Sequence, residues 1–166
     1  MPIFDSTSYA FSAYAAPVFV TALLMLAFGL RVMVRRWSRV SAAFFGITAT
    51  VAFWLLAFTA MYSTREESIA LFWAHVAYLA VPFIAPAVYQ FTVEILRINA
   101  LRRLETWQGW LLGGFFAVIG VKTQLLITNV QHYAWGFYPR YGLAMSVPFL
   151  AFFFGYLIAA VIELWR

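Results

Sequence analysis

The chain contains no cysteine and very little charge. Without cysteine there is no disulfide framework, no thiolate metal site and no sulfur nucleophile. Charged residues make up 10% of the 166 positions, and the histidines are His75 and His132 alone. Two histidines are too few for a catalytic zinc site, which normally takes three protein ligands. A phosphate-binding glycine loop, a Ser-His-Asp set, an H-E-x-x-H motif and paired intramembrane carboxylates are all missing from the sequence. Catalysis within these residues is therefore not expected, and no resident cofactor is called for.

What the chain has is apolar surface: 65% of its residues are hydrophobic and 20% aromatic. They fall in five stretches near 14–34, 41–62, 69–93, 107–127 and 143–165. Each holds at least roughly 20 residues, enough at a helical rise to cross a ~30 Å hydrocarbon core. A water-soluble domain of this length could not bury so much. The expected fold is an all-α polytopic membrane helix bundle, a single transmembrane domain over 1–166 whose first partner is the lipid bilayer.

The basic residues fall on alternate loops. Arg31, Arg35, Arg36 and Arg39, then Arg97, Arg102 and Arg103, then Arg166 lie on one side. The other side has Arg65, Lys122 and Arg140, with Glu66 and Glu67 offsetting Arg65. Short loops rich in Lys and Arg stay cytoplasmic. This places the N-terminus outside, the C-terminus inside, and the net charge of +5 against anionic lipid rather than nucleic acid. The segment Met1–Tyr14 carries Asp5 and no basic residue, the reverse of a signal peptide, so the first stretch is expected to be retained as a span.

Loops are short, so consecutive helices should pack as antiparallel neighbours. Only 128–142 is long enough for internal structure. Its Trp135, Phe137, Tyr138 and Tyr141 crowd around Gly136 and Pro139, which suggests a folded lid over the bundle mouth or an interfacial anchor. Pro82 and Pro86, four apart, each remove a backbone hydrogen bond and predict a kink in the third helix. Small residues at helical spacing, Ala42 with Gly46 and Gly109 with Gly113, would allow close helix approach, the latter as a candidate dimer face.

Polar groups inside a bilayer each need an account. His75, Tyr78, Pro82 and Tyr89 share one face of the third helix. They read either as interhelical hydrogen-bonding groups or as a pocket wall open to the outer leaflet, with a haem ligand as a third option. Lys122 either snorkels to the interface or serves as counter-ion to a ligand carboxylate or phosphate, helped by Gln124 and Arg140. Glu94 with Arg97, and Glu163 near the last helix end, read as interfacial ion pairs or helix-end anchors, with a conformational latch as the alternative. Trp37, Tyr62, Trp73, Trp107, Trp110 and Trp165 fit an aromatic belt. The ligand-binding candidates are thus His75, Tyr78, Tyr89, Lys122, His132, Trp135 and Arg140.

Ser68–Phe83 reads S-I-A-L-F-W-A-H-V-A-Y-L-A-V-P-F, and Trp135–Gly142 reads W-G-F-Y-P-R-Y-G before an apolar run. With the basic turn ahead of the second helix, these stretches resemble the N-terminal seven-helix membrane region of bacterial sensor histidine kinases. That region also precedes diguanylate cyclase and PAS-containing output domains. The resemblance implies an input module of the bacterial cytoplasmic membrane that binds a small lipophilic or amphipathic ligand and passes a conformational change to a cytoplasmic effector, in a full-length homodimer. It implies seven spans and an effector where this sequence has five and stops at Arg166, so a truncated receptor is expected. The other classes left open by the residues are a carrier, a haem or redox subunit, and an assembly subunit.

Overall fold

The structure is a computed structural model that describes residues 6–10 and 12–166. Asp5, which argued against a cleaved leader, lies outside the described residues. The chain forms α1 (Ala15–Arg35), α2 (Arg39–Ser63), α3 (Glu67–Ala77), α4 (Val81–Ile95) and α5 (Arg103–Lys122). The strands β1 (Ile127–Tyr133) and β2 (Gly136–Tyr141) follow, and then α6 (Leu143–Trp165).

Four helical segments are long and apolar enough to cross a membrane: Ala15–Arg35, Arg39–Ser63, Glu67–Ile95 and Leu143–Trp165. The third of these is α3 and α4 together. The fourth expected span meets the length but not the composition. Arg103, Glu105 and Gln108 occupy the start of α5, and glycines at 109, 113, 114 and 120 dilute the rest. Its apolar residues nevertheless face outward, with Leu111, Phe115 and Val118 exposed. It also ends at Lys122 rather than near 127, because the chain there turns into β1.

The expectation of an all-α fold is therefore corrected by a two-stranded antiparallel sheet within the 128–142 stretch and its edge. Tyr133 pairs with Gly136, leaving Ala134 and Trp135 as a two-residue turn. A register shift between Ile127 and Asn129 lets both Ile127 and Val130 face inward despite their odd spacing. Phe137 and Pro139 join them from β2. Gly136 takes φ +124°, and its Cα lies against the Tyr62 backbone at the end of α2. A side chain there would meet both a disfavoured conformation and a wall.

Local chemistry sets the helix ends. Ser38 accepts from the Ser41 amide at 3.0 Å while the Ser41 hydroxyl accepts from the Ser38 amide at 2.8 Å, a reciprocal cap that starts α2. The predicted kink is a full break. α3 closes through i→i−3 bonds from Tyr78, Leu79 and Ala80, and Pro82 then occupies the first turn of α4, where its missing N–H costs nothing. Just past the end of α4, Arg97 adopts the left-handed conformation (φ 59°), and the Ile98 amide reaches back to the Val93 carbonyl at 3.1 Å.

Sequence neighbours pack on one another as expected from α1 to α5, but α6 packs on α4 and hardly touches α5, so the broken third segment forms the centre. Of its most apolar stretch 44% is buried, against 11% for α1 and for α6. The main core joins Ala57, Phe58 and Met61 of α2 to Ala74 of α3, Phe116 of α5, Phe149 of α6 and the inward face of the hairpin. Leu24 and Phe28 of α1, and Phe154 and Ile158 of α6, turn away from the protein. One end of the bundle carries the hairpin and the α2–α3 turn. The other, arginine-rich end carries the α1–α2 and α4–α5 turns.

Candidate functional site

The stripe on the third segment is turned inward. His75 Nδ1 lies 2.6 Å from the Gly120 carbonyl oxygen, one of the last acceptors of α5, so Nδ1–H donates to an otherwise unpaired helix-end carbonyl. Tyr78 is buried at the break, against the rings of Tyr141 and Phe149 and beneath Gly120. Tyr89 stacks edge-on against Tyr156 of α6 with ring centres 5.5 Å apart. All three therefore sit between helices or between helix and hairpin, in contact with α5, α6 and β2.

The other four sequence-derived residues lie at the hairpin end, away from that interior. Lys122 is exposed at the last position of α5. His132 is exposed and packs edge-on against Phe137, with ring centres 4.9 Å apart. Trp135 stacks flat on Tyr133 at the turn. Arg140 donates from Nε to Gln131 Oε1 at 2.8 Å across the strands. None of the seven borders the hollows at the opposite, arginine-rich end. Burial, then the neighbouring Tyr78 phenol, pushes the Tyr141 hydroxyl well above the usual phenol range.

The hairpin end is further closed by the N-terminal segment. The Ala10 amide donates to Ser63, the Arg65 amide donates to Ser8, and Trp73 Nε1 donates to the Tyr9 hydroxyl at 2.8 Å. Trp73 and Trp110 of the expected aromatic belt are thus hydrogen-bonded within the fold, whereas Trp37, Trp107 and Trp165 stand exposed at the arginine-rich end.

A cavity opens at that same end. It holds about 660 Å³, inside the usual range for small-molecule sites. Arg39 borders it from α2, Gln90 and Glu94 from α4, Asn99 from the connecting turn, and Arg103, Trp107 and Trp110 from α5. Gln90 is held by Trp110, whose Nε1 donates to its Oε1 at 2.8 Å. Among the described residues Glu94 receives only a long bond from Asn99, 3.4 Å, and forms no ion pair with Arg97. Among the described residues no ion pair or side-chain hydrogen bond engages the guanidinium of Arg39 or Arg103.

Sequence reasoning missed this cavity because its charges come from separated segments, each of which reads alone as an interfacial anchor. The signal was the gathering of Gln90, Glu94, Arg97, Asn99, Arg102 and Arg103 within fourteen residues of a chain otherwise poor in charge.

Beside the cavity, Arg102 ties the helix ends together. Its guanidinium contacts Glu105 at 3.1 Å and Glu163 of α6 at 2.9 Å, and Arg166 reaches the same Glu163 at 3.3 Å. The hydrogen bond to Glu105, then Glu163, holds the Arg102 proton more firmly than usual. The expected helix-end pairing of Glu163 is present. Gly109 and Gly113 face Tyr156, Pro86 and Phe83 inside the chain, so that surface is occupied intramolecularly and is not free as a dimer face.

Neither a family model, nor a curated protein, nor a solved structure matches this chain.

Proposed function

We propose that this chain is the membrane-embedded input domain of a signal-transduction receptor in a bacterial cytoplasmic membrane. In this reading α5 is a fifth span, the hairpin end faces outward, and the arginine-rich end faces the cytoplasm, as the distribution of basic residues favours. A small lipophilic or amphipathic ligand engages the hairpin end, and a shift of α4 carries the change to a cytoplasmic effector. The full-length receptor works as a homodimer.

The observation that supports this most is the break at Tyr78–Ala80. Above it, Tyr78 touches the hairpin and α6; below it, α4 runs to the polar cavity. A helix already divided into two packed halves can move one half against the other without breaking further hydrogen bonds. A ligand shifts such an equilibrium only by binding one state better than the other.

The test is to fuse the chain to a diguanylate cyclase output domain in bacterial membranes and read its product. Tyr78→Ala and His75→Ala are expected to change basal or ligand-stimulated output several-fold while the protein remains inserted. Output indifferent to both substitutions would sink the reading. Substrate flux in proteoliposomes abolished by Lys122→Ala would instead favour a carrier.

A further inference from the structure

We infer that the cavity at the arginine-rich end is a binding site for one phospholipid headgroup, recognised through its phosphodiester and through a hydrogen-bond donor on the headgroup arm. The inference is independent of the sensory reading, since it concerns the opposite end of the bundle from the proposed ligand.

Three charged side chains border the cavity, and among the described residues they are not paired with one another. Two cations, Arg39 and Arg103, against one carboxylate, Glu94, leave a single positive charge, which matches one phosphodiester. Arginine suits this group because its fork donates to two phosphate oxygens at once. Glu94 would repel a bare phosphate. It becomes favourable if the far arm of the ligand offers an ammonium or hydroxyl donor, with Asn99 beside it.

The neighbouring surface points to a lipid as the source. Trp107 borders the cavity and is 59% exposed, in the position of an interfacial indole. A second hollow of about 390 Å³ lies alongside, bordered by Val32, Val40, Phe44 and Phe91, with Arg36, Ser38 and Ser41 also on its border. Arg39 and Val40 are adjacent on α2, and Gln90 and Phe91 are adjacent on α4, so one residue of each pair borders the polar cavity and the next borders the apolar hollow. A molecule with a charged head and an acyl chain fills both, whereas a soluble phosphodiester fills one.

The experiment uses the full chain, purified in detergent and stripped of lipid, with bound lipid counted by native mass spectrometry. Phosphatidylethanolamine and phosphatidylglycerol carry a donor on the headgroup arm; phosphatidylcholine has the same phosphate and none. One molecule per chain of either of the first two should persist at about tenfold lower lipid concentration than phosphatidylcholine. Arg103→Gln and Arg39→Gln should each weaken retention about tenfold, with Arg103→Lys intermediate, and Glu94→Gln should narrow the preference over phosphatidylcholine. Arg31→Gln, at the same end but outside the cavity, should change nothing. Equal retention of all three lipids, or a loss with Arg31→Gln matching that with Arg103→Gln, overturns the site in favour of general surface attraction. Glycerophosphoethanolamine binding as tightly as the intact lipid overturns the lipid source and assigns the cavity to a soluble phosphodiester. Should Arg103→Gln fail to fold, Arg39→Gln against Arg39→Lys, at an exposed position, gives the same comparison.

Discussion

The Pro82 carbonyl oxygen faces Gly113 across the α4–α5 contact, so that a Cβ on residue 113 would stand 3.1 Å from it and 3.0 Å from the Phe83 ring. In a regular helix that carbonyl would accept from residue 86, but Pro86 has no N–H to give. The gap in one helix thus meets the missing side chain in the other. Gly109 repeats the arrangement one turn away against Pro86 and Tyr156. The two prolines and two glycines form one joint, in which α5 lies close against the imperfect half of the third segment.

Filling that joint should loosen the bundle. Gly113→Val is expected to destabilise the protein by roughly 1–3 kcal/mol, since backbone and a packed ring must both give way. Gly114→Val is the control, because a Cβ at 114 meets nothing within 4 Å. Thermal unfolding of the two variants in detergent, followed by circular dichroism, makes the comparison. Equal melting temperatures would mean that the joint is not closely packed.

The His75–Gly120 bond makes a separate prediction about chemistry. With Nδ1 donating to the carbonyl, the ring is held as one tautomer and the bond joins α3 to the end of α5. His75→Leu should cost about 1 kcal/mol, the usual scale for a polar contact between membrane helices, while His75→Asn should retain part of it. A visible absorption band in the purified protein, lost in His75→Leu, would instead assign the imidazole to a haem.

At the arginine-rich end the Arg102 and Arg166 contacts to Glu163 should not be equivalent. The side chain of Arg166 is 63% exposed and that of Arg102 30%, so solvent and salt screen the first more strongly. Double-mutant cycles with Glu163→Gln should give a larger coupling for Arg102→Gln than for Arg166→Gln, and only the latter should vanish in high salt. The reverse order would show that the link from the α4–α5 turn to α6 is incidental.

The helices were legible because length and continuous apolarity are properties of single segments, as in the stretches that became α1, α2 and α6. A kink was legible for the same reason, since Pro82 and Pro86 act through the local backbone; that the helix breaks fully at 78–80 was not. The hairpin was not. Ile127, Val130, Tyr133 and Tyr141 carry strand preference around a two-residue turn, but Pro139 and the bulge at Thr128 disrupt the alternation that would have revealed it. The cavity was hidden for a different reason: Arg39 and Arg103 come together only through the packing of α2, α4 and α5.

The orientation argued from the arginines can be tested directly because the chain has no cysteine to remove. Single cysteines at Ser68, in the first turn of α3, and at Ala100, in the α4–α5 turn, should behave oppositely in intact cells. Both native side chains are exposed, so labelling reports sidedness rather than burial. A membrane-impermeant maleimide should label the first only, and permeabilisation should expose the second. Labelling of both in intact cells would show that α3 with α4 does not span the membrane, and labelling of Ala100→Cys alone would invert the bundle.

Whether the hairpin is a fixed cap or a moving lid turns on its inner face. Phe137 is 7% exposed and joins Val130 in the main core, while Trp135 at the tip is 44% exposed. A cap seated in this way belongs to the cooperative fold, so Phe137→Ala should cost about 3–5 kcal/mol and Trp135→Ala almost nothing. Gly136→Ala should also destabilise, because it adds a Cβ at φ +124° against the Tyr62 backbone. Hydrogen exchange separates the alternatives. Paired amides of β1 and β2 that exchange as slowly as those of α2 mark a cap. Exchange orders of magnitude faster, with the helices still protected, marks a lid that opens on its own.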